Sequence, residues 1–104
     1  MIINRDNFKN EEKKLKRFNE EQKRLEKIIN YLKLCNSFEE LEHDPVAATY
    51  DFERLKYELN AYHSFNLCKK GGTIRLIVSK GKQYDEINLE YISMDHYKDF
   101  KNKI

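Results

Sequence analysis

The groups in this chain that are suited to chemistry fall in its second half. Arg75 sits inside the most strand-like run, Ile74-Arg75-Leu76-Ile77. His96-Tyr97 joins the side chain best suited to moving protons near neutral pH to a phenol. That phenol can donate a hydrogen bond or stack on a nucleic-acid base. Glu53 and Lys56 supply a carboxylate and a cation ahead of the strands, and His63, Lys69 and Lys70 follow. Each also has an ordinary structural reading. Arg75 can pair with Glu90 across a hairpin. His96-Tyr97 can cap the chain's end with a packed tyrosine, and the lysines can be plain surface charge. His43, His63 and His96 are scattered without metal-ligand spacing, so no metal site is expected.

Positioning these groups falls to a few elements. Met1 to Asn4 is a short apolar start that suits an edge strand. Phe8, Leu15, Phe18, Leu25, Ile29 and Leu32 recur at steps of three, four or seven, which lines one face of a helix. Two arrangements fit: one long helix over Phe8 to Leu34, or a helical hairpin turning near Asn19–Glu21. Ser37 and Glu40 match a capping box and predict a short helix over Phe38 to His43, ending before Pro45. Val46 to Tyr50 reads as a loop, and Phe52 to Lys56 as a short amphipathic lead-in.

From His63 onward the pattern alternates. Phe65 and Leu67 interleave with polar residues up to Cys68, and Lys69-Lys70-Gly71-Gly72 makes a turn. Thr73 to Ser79 is the strongest strand. With Ile74 and Leu76 facing the helices, Arg75 points to the opposite face. Ile87, Leu89 and Tyr91 alternate with Asn88 and Glu90, and His96 to Phe100 forms a C-terminal turn or helix. The expected fold is one α+β domain: an N-terminal strand, helices on one face, and a three-stranded antiparallel sheet.

The 104 residues suffice for one compact core. Seven Tyr and six Phe supply large buried surface. The net charge is only +2. Ten Lys/Arg balance ten Asp/Glu in residues 1–44, so the small excess lies in residues 45–104. Charge alone does not make this a strong nucleic-acid binder, and any such contact needs a local patch. Cys35 and Cys68 form no CxxC motif and suit buried, inert thiols. The first residues lack the apolar stretch of a signal peptide, and no apolar run approaches a membrane span, so a cytoplasmic protein is expected.

Taken in order, three segments form a pattern: Glu53-Arg54-Leu55-Lys56-Tyr57-Glu58-Leu59-Asn60-Ala61-Tyr62-His63-Ser64, then Ile74-Arg75-Leu76-Ile77, then Ile92-Ser93-Met94-Asp95-His96-Tyr97. The pattern resembles the RelE/ParE toxin superfamily and is most like its YoeB-type and RelE-type messenger-RNA endonucleases. The likeness spans residues 51–97. It implies the toxin of a type II toxin–antitoxin pair that cuts messenger RNA, on the ribosome in many relatives. The 2′-OH of one nucleotide attacks the adjacent phosphate and the 5′-oxygen leaves, with no metal or cofactor. By the same resemblance, Glu53 would be the base, Arg75 would bind phosphate charge, His96 would be the acid and Tyr97 would orient substrate. Lys56, His63, Lys69 and Lys70 would contact RNA. An antitoxin protein is the implied partner. Two other readings fit the same pattern: a non-enzymatic toxin of this fold that binds DNA gyrase, and an interaction module without activity.

Overall fold

A computed structural model describes residues 1–6, 8–69 and 71–104. The class is α+β, as expected, but the sheet is larger and mixed. Five strands run in the order β1 (Ile2–Asn4), β5 (Glu86–Ser93), β4 (Arg75–Lys80), β3 (Tyr62–Asn66), β2 (Glu53–Arg54). The expected N-terminal edge strand is present and pairs parallel to β5. The other neighbours are antiparallel. Glu53–Arg54, read as an amphipathic lead-in, is instead the opposite edge of the sheet.

The principal helix α1 spans Asn19–Leu34. Its Leu25, Ile28, Ile29 and Leu32 are buried against Phe65, Leu76, Val78, Ile87, Leu89 and Ile92 of the sheet. Each such side chain contributes about 1.5–3 kcal/mol by leaving water. Neither arrangement expected for residues 8–34 is realised. Phe18 has φ −118° and ψ 74°, which is not helical, and residues 8–17 before it make a 3₁₀ turn at Glu12–Leu15 rather than an α-helix. Phe8 and Leu15 still reach the core. The apolar spacing marks burial there without a continuous helix.

The expected helix over Phe38 to His43 shrinks to a 3₁₀ turn, Glu39–Glu42. Ser37 accepts the Glu40 N–H at 3.3 Å, but the Glu40 carboxylate takes the N–H of Asn36 at 2.8 Å rather than that of Ser37. Val46 to Tyr50, expected as a loop, largely falls in the short helix α2, Pro45–Thr49. Asp44 caps it by accepting the Val46 N–H at 2.9 Å, with proline at the first turn.

Apolar residues occupy both faces of the sheet, by alternation along β4 and by a bulge in β5. Pairing of β4 with β5 shifts between Ile77 and Val78, which face Tyr91 and Leu89 and leave Glu90 unpaired. Leu89 and Ile92 enter the helix-side core, whereas Tyr91 joins Ile77 on the other face. The expected single apolar face of Ile87, Leu89 and Tyr91 is thus corrected. On the second face, Tyr91 and Ile77 pack with Leu55, Leu59 and Phe100. Phe100 belongs to the terminal helix α3, Lys98–Lys103, so the helices are not all on one side.

Beyond the end of β1, the free side of β5 is covered by side chains. The buried Glu11 accepts the Ile92 N–H at 2.8 Å. Lys14 donates to the Ile92 carbonyl at 3.0 Å and to Glu11 at 2.8 Å, and its ammonium lies 3.6 Å from the centre of the Tyr91 ring. No helix of the described residues is long and apolar enough to cross a membrane.

Candidate functional site

The second face carries the site. Glu53 of β2 lies opposite Ser64 of β3, so the two side chains share a face. The Tyr97 phenol joins them, donating to Glu53 Oε1 at 2.8 Å and standing 2.8 Å from Ser64 Oγ. Because the phenol's one proton goes to the carboxylate, the Ser64 hydroxyl must donate to the phenol oxygen. The chain of bonds runs from buried Ser64 through Tyr97 to exposed Glu53. Burial pushes the Tyr97 phenol above its ordinary value. The Ser64 bond opposes that shift and the Glu53 carboxylate adds to it. Tyr97 therefore stays protonated near neutral pH and serves as a donor.

Tyr97 is aimed by an unusual turn. His96 and Tyr97 both take left-handed backbone conformations, φ 46° and φ 78°. Such conformations cost non-glycine residues about 1–3 kcal/mol each and persist only when neighbours hold them. Here the Tyr97 N–H donates to Ser93 Oγ at 2.8 Å, and the Ser93 hydroxyl donates to Asp99 Oδ1 at 2.5 Å. Asp99 also accepts the N–H groups of Met94 and Phe100, at 2.8 and 2.9 Å. Burial raises the Asp99 pKa, but these bonds outweigh it and the net value is lowered. The His96 N–H meets the Thr73 carbonyl at 3.1 Å.

Between this turn and the segment after β2 lies a cleft of about 330 Å³. Its lining includes Glu53, Lys56, Tyr57, His96 and Tyr97, with Leu55 and Leu59 beneath. Hollows of about 440 and 630 Å³ lie beside α1 and α3. Neither contains any of the residues expected from sequence to do chemistry. The Lys101–Glu58 ion pair, at 2.9 Å, links the two sides of the cleft.

Four of the expected residues, Glu53, Lys56, His96 and Tyr97, therefore converge on one cleft. Arg75 occupies the same face beside it, opposite Ser93 in register. It does not pair with Glu90, which accepts from Ser79 at 2.7 Å. Its NH1 donates to Asn66 Oδ1, the Gly72 carbonyl and the Ile74 carbonyl, at 3.0, 2.7 and 3.1 Å.

His63 does not join the site. Its ring lies on the helix side, stacked on Phe52 at 4.9 Å and edge-on to Phe38 at 5.1 Å. Neither ring nitrogen has a hydrogen-bond partner among the described residues. Burial lowers its pKa. Glu42, 4.0 Å away, opposes that shift and Arg54 adds to it. His63 is thus not brought to the cleft with the other expected residues, because its ring is enclosed on the opposite face. Lys69 is exposed in the β3–β4 turn, outside the cleft lining. Lys70 lies outside the described residues.

Sequence reading missed Ser64, Ser93, Asp99 and Tyr57. Alternation along β3 could have placed Ser64 opposite Phe65. Nothing in the local pattern marks Asp99 as the clamp of the turn. Among the described residues, one group has metal-ligand spacing: donor atoms of Cys35, Glu40 and Asp44 lie within 4.8 Å of one another. None of the three lines the cleft, and the two carboxylates already accept backbone N–H groups, Glu40 from Asn36 and Asp44 from Val46. Comparison with family models, curated proteins and solved structures found no match to this chain.

Proposed function

We propose that this chain is a metal-independent RNA endonuclease of the RelE/ParE toxin type, cutting messenger RNA as the toxin of a type II pair. The observation that carries the reading is the convergence of Glu53, Lys56, His96 and Tyr97, drawn from two distant segments, on one cleft. A carboxylate, a histidine and cations are what 2′-OH attack on a phosphodiester requires. Glu53 takes the proton of the 2′-OH as its oxygen bonds to phosphorus. The P–O5′ bond breaks, and His96 returns a proton to the leaving oxygen. The products carry a 2′,3′-cyclic phosphate and a free 5′-OH. Tyr97 holds Glu53 in place through its hydrogen bond. Lys56 and Arg75 meet the charge on the phosphate. Among the described residues only NH1 of Arg75 is engaged, so Nε and NH2 can form the two-pronged contact.

In this reading the partners are an antitoxin protein and messenger RNA, on the ribosome, in the cytoplasm. The test is primer extension on messages after induction, alongside cleavage of a message held on purified ribosomes. His96→Ala should remain folded and cut about 10²–10⁴-fold more slowly. Arg75→Ala should also lose activity, and a DNA oligonucleotide should be untouched because it lacks the nucleophile. Full activity in His96→Ala refutes the assignment. Intact messages with DNA-damage signalling point instead to a gyrase-binding toxin.

A further inference from the structure

Tyr57 also lines the cleft and has no role in the chemistry above. It is one of four non-glycine residues with positive φ among the described residues, and three of the four, Tyr57, His96 and Tyr97, face this one cleft. The strain thus comes from two separate loops and meets at one place. Tyr57 has φ 57° and an 84% exposed side chain, so packing does not repay the backbone cost. Its neighbours are firmly held. Leu55 and Leu59 are only 6% and 7% exposed in the second-face core, and Arg54 Nε donates to the Asn60 carbonyl at 2.9 Å. An aromatic ring is therefore presented to solvent on a fixed support.

We propose that Tyr57 is the base-stacking residue of the cleft, taking the nucleobase of a nucleotide flanking the cut phosphate. The inference rests on the RNA-cutting reading and deepens it. The cleft, at about 330 Å³, is near the lower bound of small-ligand sites and suits one planar group. Its floor is apolar at Leu55 and Leu59, while Glu53 and Lys56 bring polar groups to the same cleft. A base can thus lie on apolar surface with its sugar and phosphate near the carboxylate and the cation. Stacking tolerates any base, so Tyr57 sets affinity rather than sequence choice.

The test uses the full chain and a labelled RNA oligonucleotide with a single 2′-deoxy at the cut position, which binds without being cut. A second probe is the same oligonucleotide made abasic at the flanking nucleotide. Tyr57→Ala is expected to weaken binding of the first probe about tenfold, with Tyr57→Phe and Tyr57→Trp near wild type. The abasic change should weaken wild type by a similar factor and Tyr57→Ala hardly at all. Tyr57→Gly, which removes the backbone strain, should melt at or above the wild-type temperature yet bind as weakly as Tyr57→Ala. This separates stacking from unfolding. Wild-type affinity in Tyr57→Ala overturns the proposal while leaving RNA cutting intact, and leaves the ring to a protein contact. If wild type neither cuts RNA nor binds the probe, the underlying reading falls and the proposal with it.

Discussion

Replacing Tyr97 by phenylalanine removes one oxygen atom and disturbs two partners unequally. Glu53 is exposed, so water can replace the phenol there. Ser64 is 0% exposed and donates to that phenol, so its hydroxyl is left buried without an acceptor. An orphaned buried donor costs about 1–3 kcal/mol. For a domain of this size that lowers Tm by about 4–8 °C per kcal/mol. Ser64→Ala should cost less, because Tyr97 keeps its bond to Glu53. The double variant Ser64→Ala/Tyr97→Phe should be more stable than Tyr97→Phe alone, since no buried hydroxyl remains unpaired. Thermal melts of the four proteins by circular dichroism measure the cycle. A double variant less stable than Tyr97→Phe by the full cost of Ser64→Ala shows the two sites to be independent. The proton order Ser64–Tyr97–Glu53 is then wrong.

Two further outcomes follow from the titrating groups. His63 has a lowered pKa in the fold, so its contribution to stability is whole above its unfolded value near 6.5 and is lost as pH falls below it. The facing charges are Glu42, Asp44 and Arg54, and one proton changes stability by at most about 1.4 kcal/mol per pH unit. Tm should fall faster between pH 7 and pH 5 in wild type than in His63→Phe, and equal slopes refute the assignment. Asp99 also has a lowered net pKa, so its contribution is present above about 3.9 and lost as pH falls further. Asp99→Asn should cost about 1–3 kcal/mol at neutral pH by weakening the bonds to Ser93 and Met94. Amide exchange at Met94 and Tyr97 should quicken in that variant, and unchanged protection there refutes the clamp.

Periodicity and alternation made the central elements legible. Leu25, Ile29 and Leu32 mark the buried face of α1, and the runs around Leu76 and Leu89 mark two strands. The same signals failed where elements are short. Spacing of Phe8 and Leu15 reports burial, which a 3₁₀ turn satisfies as well as a helix. Asp44-Pro45 is a start signal, but five residues are too few to show a period. Two-residue β2 offers no alternation to detect. The bulge at Glu90 moves Tyr91 to the other face, and period-two counting cannot see an extra residue. At the site, Glu53, Lys56, His96 and Tyr97 were nameable by order along the chain. Their support was not, because Ser64 and Ser93–Asp99 act through contacts that depend on β2, β3 and the terminal turn meeting in space.

The coverage of β5 by Glu11 and Lys14 has a bearing on self-association. An open sheet edge offers unpaired N–H and C=O groups to which another copy can add a strand. β1 pairs with only residues 86–88 of β5, so the stretch to Ser93 would present such an edge. At Ile92 a carboxylate and an ammonium from within the chain occupy both backbone groups. An incoming strand would have to displace a largely buried ion pair to pair there. Two side chains thus stand in for a sixth strand and help to keep the sheet finite.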